Sequence, residues 1–202
     1  MSDDKALMEE AASNENDWVR ARILKQDPPS EGSLQKIAER ARDMAANSLG
    51  TKHPAFAVSL QNLGLYYDAI ENNTSQANAL FAQARAALKE NDLPLADGFY
   101  WLGIFHDEVN HDEKRAEARL SEALAIRRRA LGSDDLQLAD ALSALAHAKG
   151  LETGIHSAIA LLEEALTIRR ARLPPADRAV VNTEDRLAIL RTIARTQIEG
   201  GH

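Results

Sequence analysis

The chain has 202 residues, 45% of them hydrophobic and 27% charged, with a formal net charge of -7. That acidic balance argues against wholesale binding of nucleic acid or of an anionic membrane surface, and the lack of cysteine excludes disulfides and thiolate metal sites while permitting a reducing compartment. No run approaches the roughly 18 apolar residues of a membrane span, and the opening Met1-Ser2-Asp3-Asp4-Lys5 lacks the apolar core of a secretion signal, so a cytoplasmic protein with no membrane partner is expected.

In chain order, residues 1–33 read as an N-terminal helical segment or arm around Trp18, Ile23 and Leu24, closed by the long joint Asp27-Pro28-Pro29-Ser30-Glu31-Gly32. Helical periodicity then runs from Leu34 to Leu49. Further helices are predicted near 54–70, 74–89, 94–109, 113–131, 134–149 and 154–172, and a last one from Pro175 to about Glu199. Gly50, Gly132 and Gly150 each follow an apolar-periodic run and suit the left-handed residue that ends a helix. Pro54, Pro94 and Pro175 sit where a following helix begins, and Ser133-Asp134-Asp135 supplies caps for free backbone N–H groups. No stretch shows the strict alternation of a half-buried strand, so the fold class is all-α.

A seven-residue alanine step returns four times along these segments: Leu34-Ala38-Ala41, Ala77-Phe81-Ala84, Ala116-Leu120-Ala123 and Ala158-Leu162-Ala165. A second track, Leu60-Leu63-Gly64, Phe99-Leu102-Gly103 and Leu142-Leu145-Ala146, precedes the last three of them. Two helices per unit are thus repeated, an A helix and a B helix, and each hairpin hides its apolar face against the next. The array is expected to span residues 34–173 as one domain, with 174–202 forming a C-terminal capping helix and tail. Small residues such as Gly64, Gly103 and Ala146 let helices approach closely. Leu60, Leu63, Tyr67, Phe81, Phe99, Leu102, Leu120, Leu142, Leu145 and Leu162 are the predicted core.

Specific strings sharpen this pattern: Val58-Ser59-Leu60-Gln61-Asn62-Leu63-Gly64-Leu65-Tyr66 on an A helix, Glu122-Ala123-Leu124-Ala125-Ile126-Arg127 and Glu164-Ala165-Leu166-Thr167-Ile168-Arg169 on B helices, and the joints Leu49-Gly50-Thr51-Lys52-His53-Pro54 and Leu131-Gly132-Ser133-Asp134-Asp135. Together they resemble the tetratricopeptide repeat (TPR), in its longer variant of about 42 residues found in kinesin light chains. The pattern departs from the family where His106 and Lys149 take the slot held by Tyr67. The resemblance implies a right-handed α-α superhelix of antiparallel hairpins, a TPR solenoid, whose A helices line a concave groove that holds a peptide or partner helix. Mapped onto this chain, the groove carries Val58, Gln61, Asn62, Leu65, Asp97, Tyr100, Trp101, Ile104, Asp140, Ser143, His147 and Arg186. The family's carboxylate-gripping subset uses Lys, Arg and Asn at groove places that here hold Gln61, Leu65, Trp101, Asp140 and Ala144, so an acidic C-terminal tail is disfavoured as a partner.

Phe99-Tyr100-Trp101 is the densest aromatic stretch in a chain only 4% aromatic. A helix points three consecutive residues in different directions, and Phe99 takes the core slot, leaving Tyr100 and Trp101 as candidate anchors. Asp97 and Asp140 favour a basic ligand segment, or else simply improve helix N-termini. His106-Asp107-Glu108 and His111-Asp112-Glu113 contain metal-ligand types, but a spacing of five does not put two imidazoles on one helical face. Arg127-Arg128-Arg129 and Arg169-Arg170-Arg172 fall at helix C-termini, where cations are stabilising, and would make an edge suited to an acidic partner or an RNA backbone. Neither a phosphate loop nor a nucleophilic constellation stands out. The expected function is a non-enzymatic adaptor or scaffold for protein–protein interaction, with no cofactor and no metal. It binds through Gln61, Asn62, Leu65, Asp97, Tyr100, Trp101, Ile104, Asp140, Ser143 and His147, and nucleic acid is disfavoured. The alternatives are a metal-dependent hydrolase or metal sensor at the His106/His111 turn and a self-assembling module, a homo-oligomer.

Overall fold

The computed structural model describes residues 10–11, 33–88, 93–149 and 154–199; the expectations for Trp18, Ile23, Leu24 and Gly150 fall outside the described residues. Eight α-helices and no strand are found among those described. They are α1 (Ser33–Ser48), α2 (Pro54–Ala69), α3 (Thr74–Leu88), α4 (Leu93–Glu108), α5 (Glu113–Ala130), α6 (Leu136–Ala148), α7 (Ile155–Arg172) and α8 (Arg178–Glu199). The A track is therefore α2, α4, α6 and α8, and the B track is α1, α3, α5 and α7.

The joints explain the helix ends. Gly50 adopts φ 90, and its N–H, like that of Leu49, bonds to Ala45 O at 3.1 and 3.0 Å, closing α1 as glycine's freedom at positive φ allows. α2 opens on Pro54 with His53 Nδ1 accepting from Ala55 N. At the two A-to-B turns of α2–α3 and α4–α5, the left-handed positions are Asn72 (φ 52) and His111 (φ 51). Asp112, Asp135 and Asp177 cap α5, α6 and α8 by accepting from Arg115 N, Gln137 N and Ala179 N at 3.1, 2.8 and 2.8 Å.

Two joints differ from the sequence expectation. Gly132 does not enter the left-handed region; α5 ends instead by Leu131 turning extended while its N–H still reaches Arg127 O. Pro175 lies in the turn ahead of α8 rather than in its first turn, because Asp177 caps the helix two residues later.

Two compact units divide the chain, Met1–Leu102 and Gly103–His202. Within the first, α2 packs against α1 and α3. Its interior holds Leu34, Ala38 and Ala41 of α1, Leu60 and Leu63 of α2, Ala77, Phe81 and Ala84 of α3, and Phe99 of α4, all buried. Phe81 and Phe99 meet edge to face with centroids 4.9 Å apart. A Cβ at Gly64 would stand 2.6 Å from Phe81 Cε1, so glycine there is what lets the ring lie against the α2 backbone. Of the predicted core, Tyr67 alone is not buried; its hydroxyl bonds instead to Gln35 Nε2 of α1 at 3.0 Å.

In the second unit the same arrangement recurs. A Cβ at Gly103 would collide with the Leu120 side chain of α5, and Ala116, Leu120, Ala123, Leu142, Leu145, Ala158, Leu162 and Ala165 are buried. Ala146, Ala158, Leu162 and Leu166 form one cluster with Val180 and Leu187 of α8, so the last A helix is seated by a buried apolar stripe. No described helix is long and apolar enough to cross a membrane.

Candidate functional site

In the first unit the predicted contact residues divide by burial. Gln61, Asn62 and Leu65 are buried on α2. Gln61 is a packing residue: its Nε2 donates to Leu95 O of α4 at 2.7 Å, and its amide occupies the space that a Cβ at Gly98 would take. Glycine at 98 thus allows a polar link between consecutive A helices. Asp97 and Tyr100 are half-buried, whereas Trp101 is 42% exposed beside the fully buried Phe99. Tyr100 and Trp101 meet edge to face, centroids 5.3 Å apart at 76°. Asp97 lies one turn N-terminal to both rings, at the i, i+3 and i, i+4 separations that put side chains on one helical face. One helix therefore assembles two rings and a carboxylate at its surface, while α2 contributes support rather than exposed polar groups.

In the second unit Ile104 and Ser143 are half-buried and Asp140 and His147 exposed. Asp140 is held by Arg169 Nη2 at 2.8 Å. His147 Nδ1 bonds to Asp107, a carboxylate forty residues earlier and so one repeat away. Around this pair is an open pocket of about 500 Å³, lined by Asp107, Glu113, His147, Arg186, Ile189 and Leu190 over Ala146 and Leu162. His147 and Arg186, both expected on the groove, are brought together there. Asp107, read from sequence only as part of the histidine turn, and Ile189 are pocket residues that the groove mapping did not include. The repeat period separating Asp107 from His147 was a usable signal, and Ile189, 58% exposed, lies off the buried Val180-Leu187-Ala194 stripe of α8.

The histidine turn does not assemble a metal site. His106 is fully buried with Nδ1 3.2 Å from Asn110 Nδ2, His111 is exposed on the left-handed turn, and no group of three potential ligands converges among the described residues. The arginine edge is engaged internally as well. Arg127, 5% exposed, donates to Gln137 O at 2.9 Å; Arg169, 9% exposed, donates to Thr183 Oγ1 at 2.6 Å as well as holding Asp140. Arg128 pairs with Glu164, and Arg172 with Asp134.

No family model and no curated protein matches the sequence. Solved structures match in fold. The crystal structure of Podosopora anserina kinesin light chain nearly identical TPR-like repeats has 18% identity, covers 95% of this chain and 90% of its own, and has a TM-score of 0.63; a single-substitution variant of the same protein has the same identity and coverage and a TM-score of 0.62. With its four buried alanine steps and alternating A and B helices, this chain has the TPR-like helical-repeat fold of those structures.

Proposed function

We propose that the protein is a non-enzymatic adaptor whose A-helix surfaces bind a peptide or helix of a protein partner. The observation that carries this reading is Trp101: a large amphipathic ring, 42% exposed and flanked by Tyr100, on the A helix whose next-door Phe99 fills the core. Tryptophan and tyrosine dominate binding energetics where they can be desolvated by a partner. In the second unit Ile104, Asp140, Ser143 and His147 supply a more polar A-helix surface. Helical-repeat folds generally serve as interaction scaffolds, and the cytoplasmic placement expected from sequence belongs to the same reading.

The test is an affinity pull-down from the source cell with wild type and Trp101→Ala side by side. A partner retained by wild type is expected to lose about 30-fold in affinity, the hot-spot scale, while the circular dichroism of the variant is unchanged. Equal retention would reject the assignment of this surface.

A second reading, self-association through α8, is favoured by Val181 and Ile189, 40% and 58% exposed on the last helix. Sedimentation across a dilution series tests it, with Ile189→Asp expected to abolish any dimer.

A further inference from the structure

Positive charge is segregated among the helices of the repeats, the last A helix α8 aside, which carries Arg178, Arg186, Arg191 and Arg195. α2, α4 and α6 contain no lysine or arginine; their charged groups are Asp68, Asp97, Asp107, Glu108, Asp140 and the two histidines. The basic side chains of the repeats stand on the B helices α1, α3, α5 and α7. Asp97 is the carboxylate placed within one turn of both the Tyr100 and Trp101 rings.

An aromatic ring carries negative charge on its face, and a cation above tryptophan is attracted by it. A carboxylate on the same helical face adds attraction of the same sign, with no lysine or arginine on that helix to oppose it. We infer that the occupant of this surface is a basic protein segment, one that places an arginine or lysine over the Trp101–Tyr100 pair with Asp97 as its counter-ion. The inference rests on the adaptor reading above and adds the chemistry of the partner. Arginine fits better than lysine, because its planar guanidinium stacks on a ring and still directs N–H groups to a carboxylate. An acidic segment is repelled from the same place.

The experiment is selection of a random-peptide phage library on the full chain, followed by titration of the enriched peptides, as synthetic probes, against wild type, Trp101→Ala, Asp97→Asn and Asp97→Lys. Enriched peptides are expected to carry arginine or lysine and to weaken as salt is raised. They should lose about 30-fold to Trp101→Ala and about two- to fivefold to Asp97→Asn, the scale of an exposed ion pair. Asp97→Lys should turn the selection toward acidic peptides and gives an independent reading of the same surface. Neutral or acidic peptides that bind wild type and depend on Trp101 would overturn the basic partner and leave the adaptor reading standing. Peptides indifferent to Trp101→Ala, or no enrichment, would overturn both. A wild-type dimer lost in Trp101→Ala would show that a second copy covers the rings, again overturning the inference.

Discussion

Single atoms decide several positions in this chain. At Gly64 a methyl group meets Phe81 Cε1 at 2.6 Å, and the ring is also in edge-to-face contact with Phe99. Gly64→Ala is therefore expected to destabilise by about 1 to 3 kcal/mol, the scale of overpacking, read as a lower urea midpoint at unchanged slope. The complementary change removes volume. Leu102, 1% exposed, should cost about 2 to 5 kcal/mol as Leu102→Ala, since the cavity left behind adds to the lost transfer energy. Trp101, its neighbour, is 42% exposed, and its truncation should leave the midpoint nearly unmoved. The contrast between positions 101 and 102 separates a binding role from a packing role in one pair of variants.

At the scale of helices, ends matter more than interiors. Asp135 accepts from Gln137 N at 2.8 Å, satisfying a backbone donor that α6 cannot satisfy itself. Asp135→Ala is expected to cost about 1 kcal/mol, seen as a lower midpoint and as faster amide exchange in the first turn of α6. Asp135→Asn should recover most of it, because the amide oxygen still accepts. The joints also show how far local sequence reaches. Glycine after an apolar run was correct at Gly50, where the chain needs φ 90, and incorrect at Gly132, where Leu131 turned extended instead. Two non-glycine residues, Asn72 and His111, took left-handed conformations in the other turns, as asparagine does readily and histidine less often.

For the molecule as a whole, the seating of α8 in the second unit shows which forces matter. Arg170–Glu184 and Arg191–Glu163 are ion pairs with all four side chains 42–60% exposed, and such pairs contribute about 0 to 1 kcal/mol. Beneath them lie Val180 and Leu187, 1% and 2% exposed, packed on Leu162 and Leu166. Raising salt is expected to leave α8 docked, whereas Leu187→Ala should loosen it, with amide protection in α8 falling well below that in α6 and α7 by hydrogen exchange. Arg191→Ala should shift the midpoint by less than about 1 kcal/mol.

The repeat, the all-α class and the helix bounds to within three residues were legible in the sequence, because periodicity and small-residue spacing are properties of a single chain direction. All four alanine steps are buried as their spacing implied. Which polar groups face inward was not legible. Gln61 reads as an exposed contact from its register, yet it is buried because Gly98, thirty-seven residues on, leaves room for its amide at Leu95 O. Likewise, Arg169 reads as part of a solvated edge and is instead held between Asp140 and Thr183. Periodicity along one helix reports which face is apolar; where a long polar side chain ends depends on space and partners supplied by another helix, and only tertiary packing decides that.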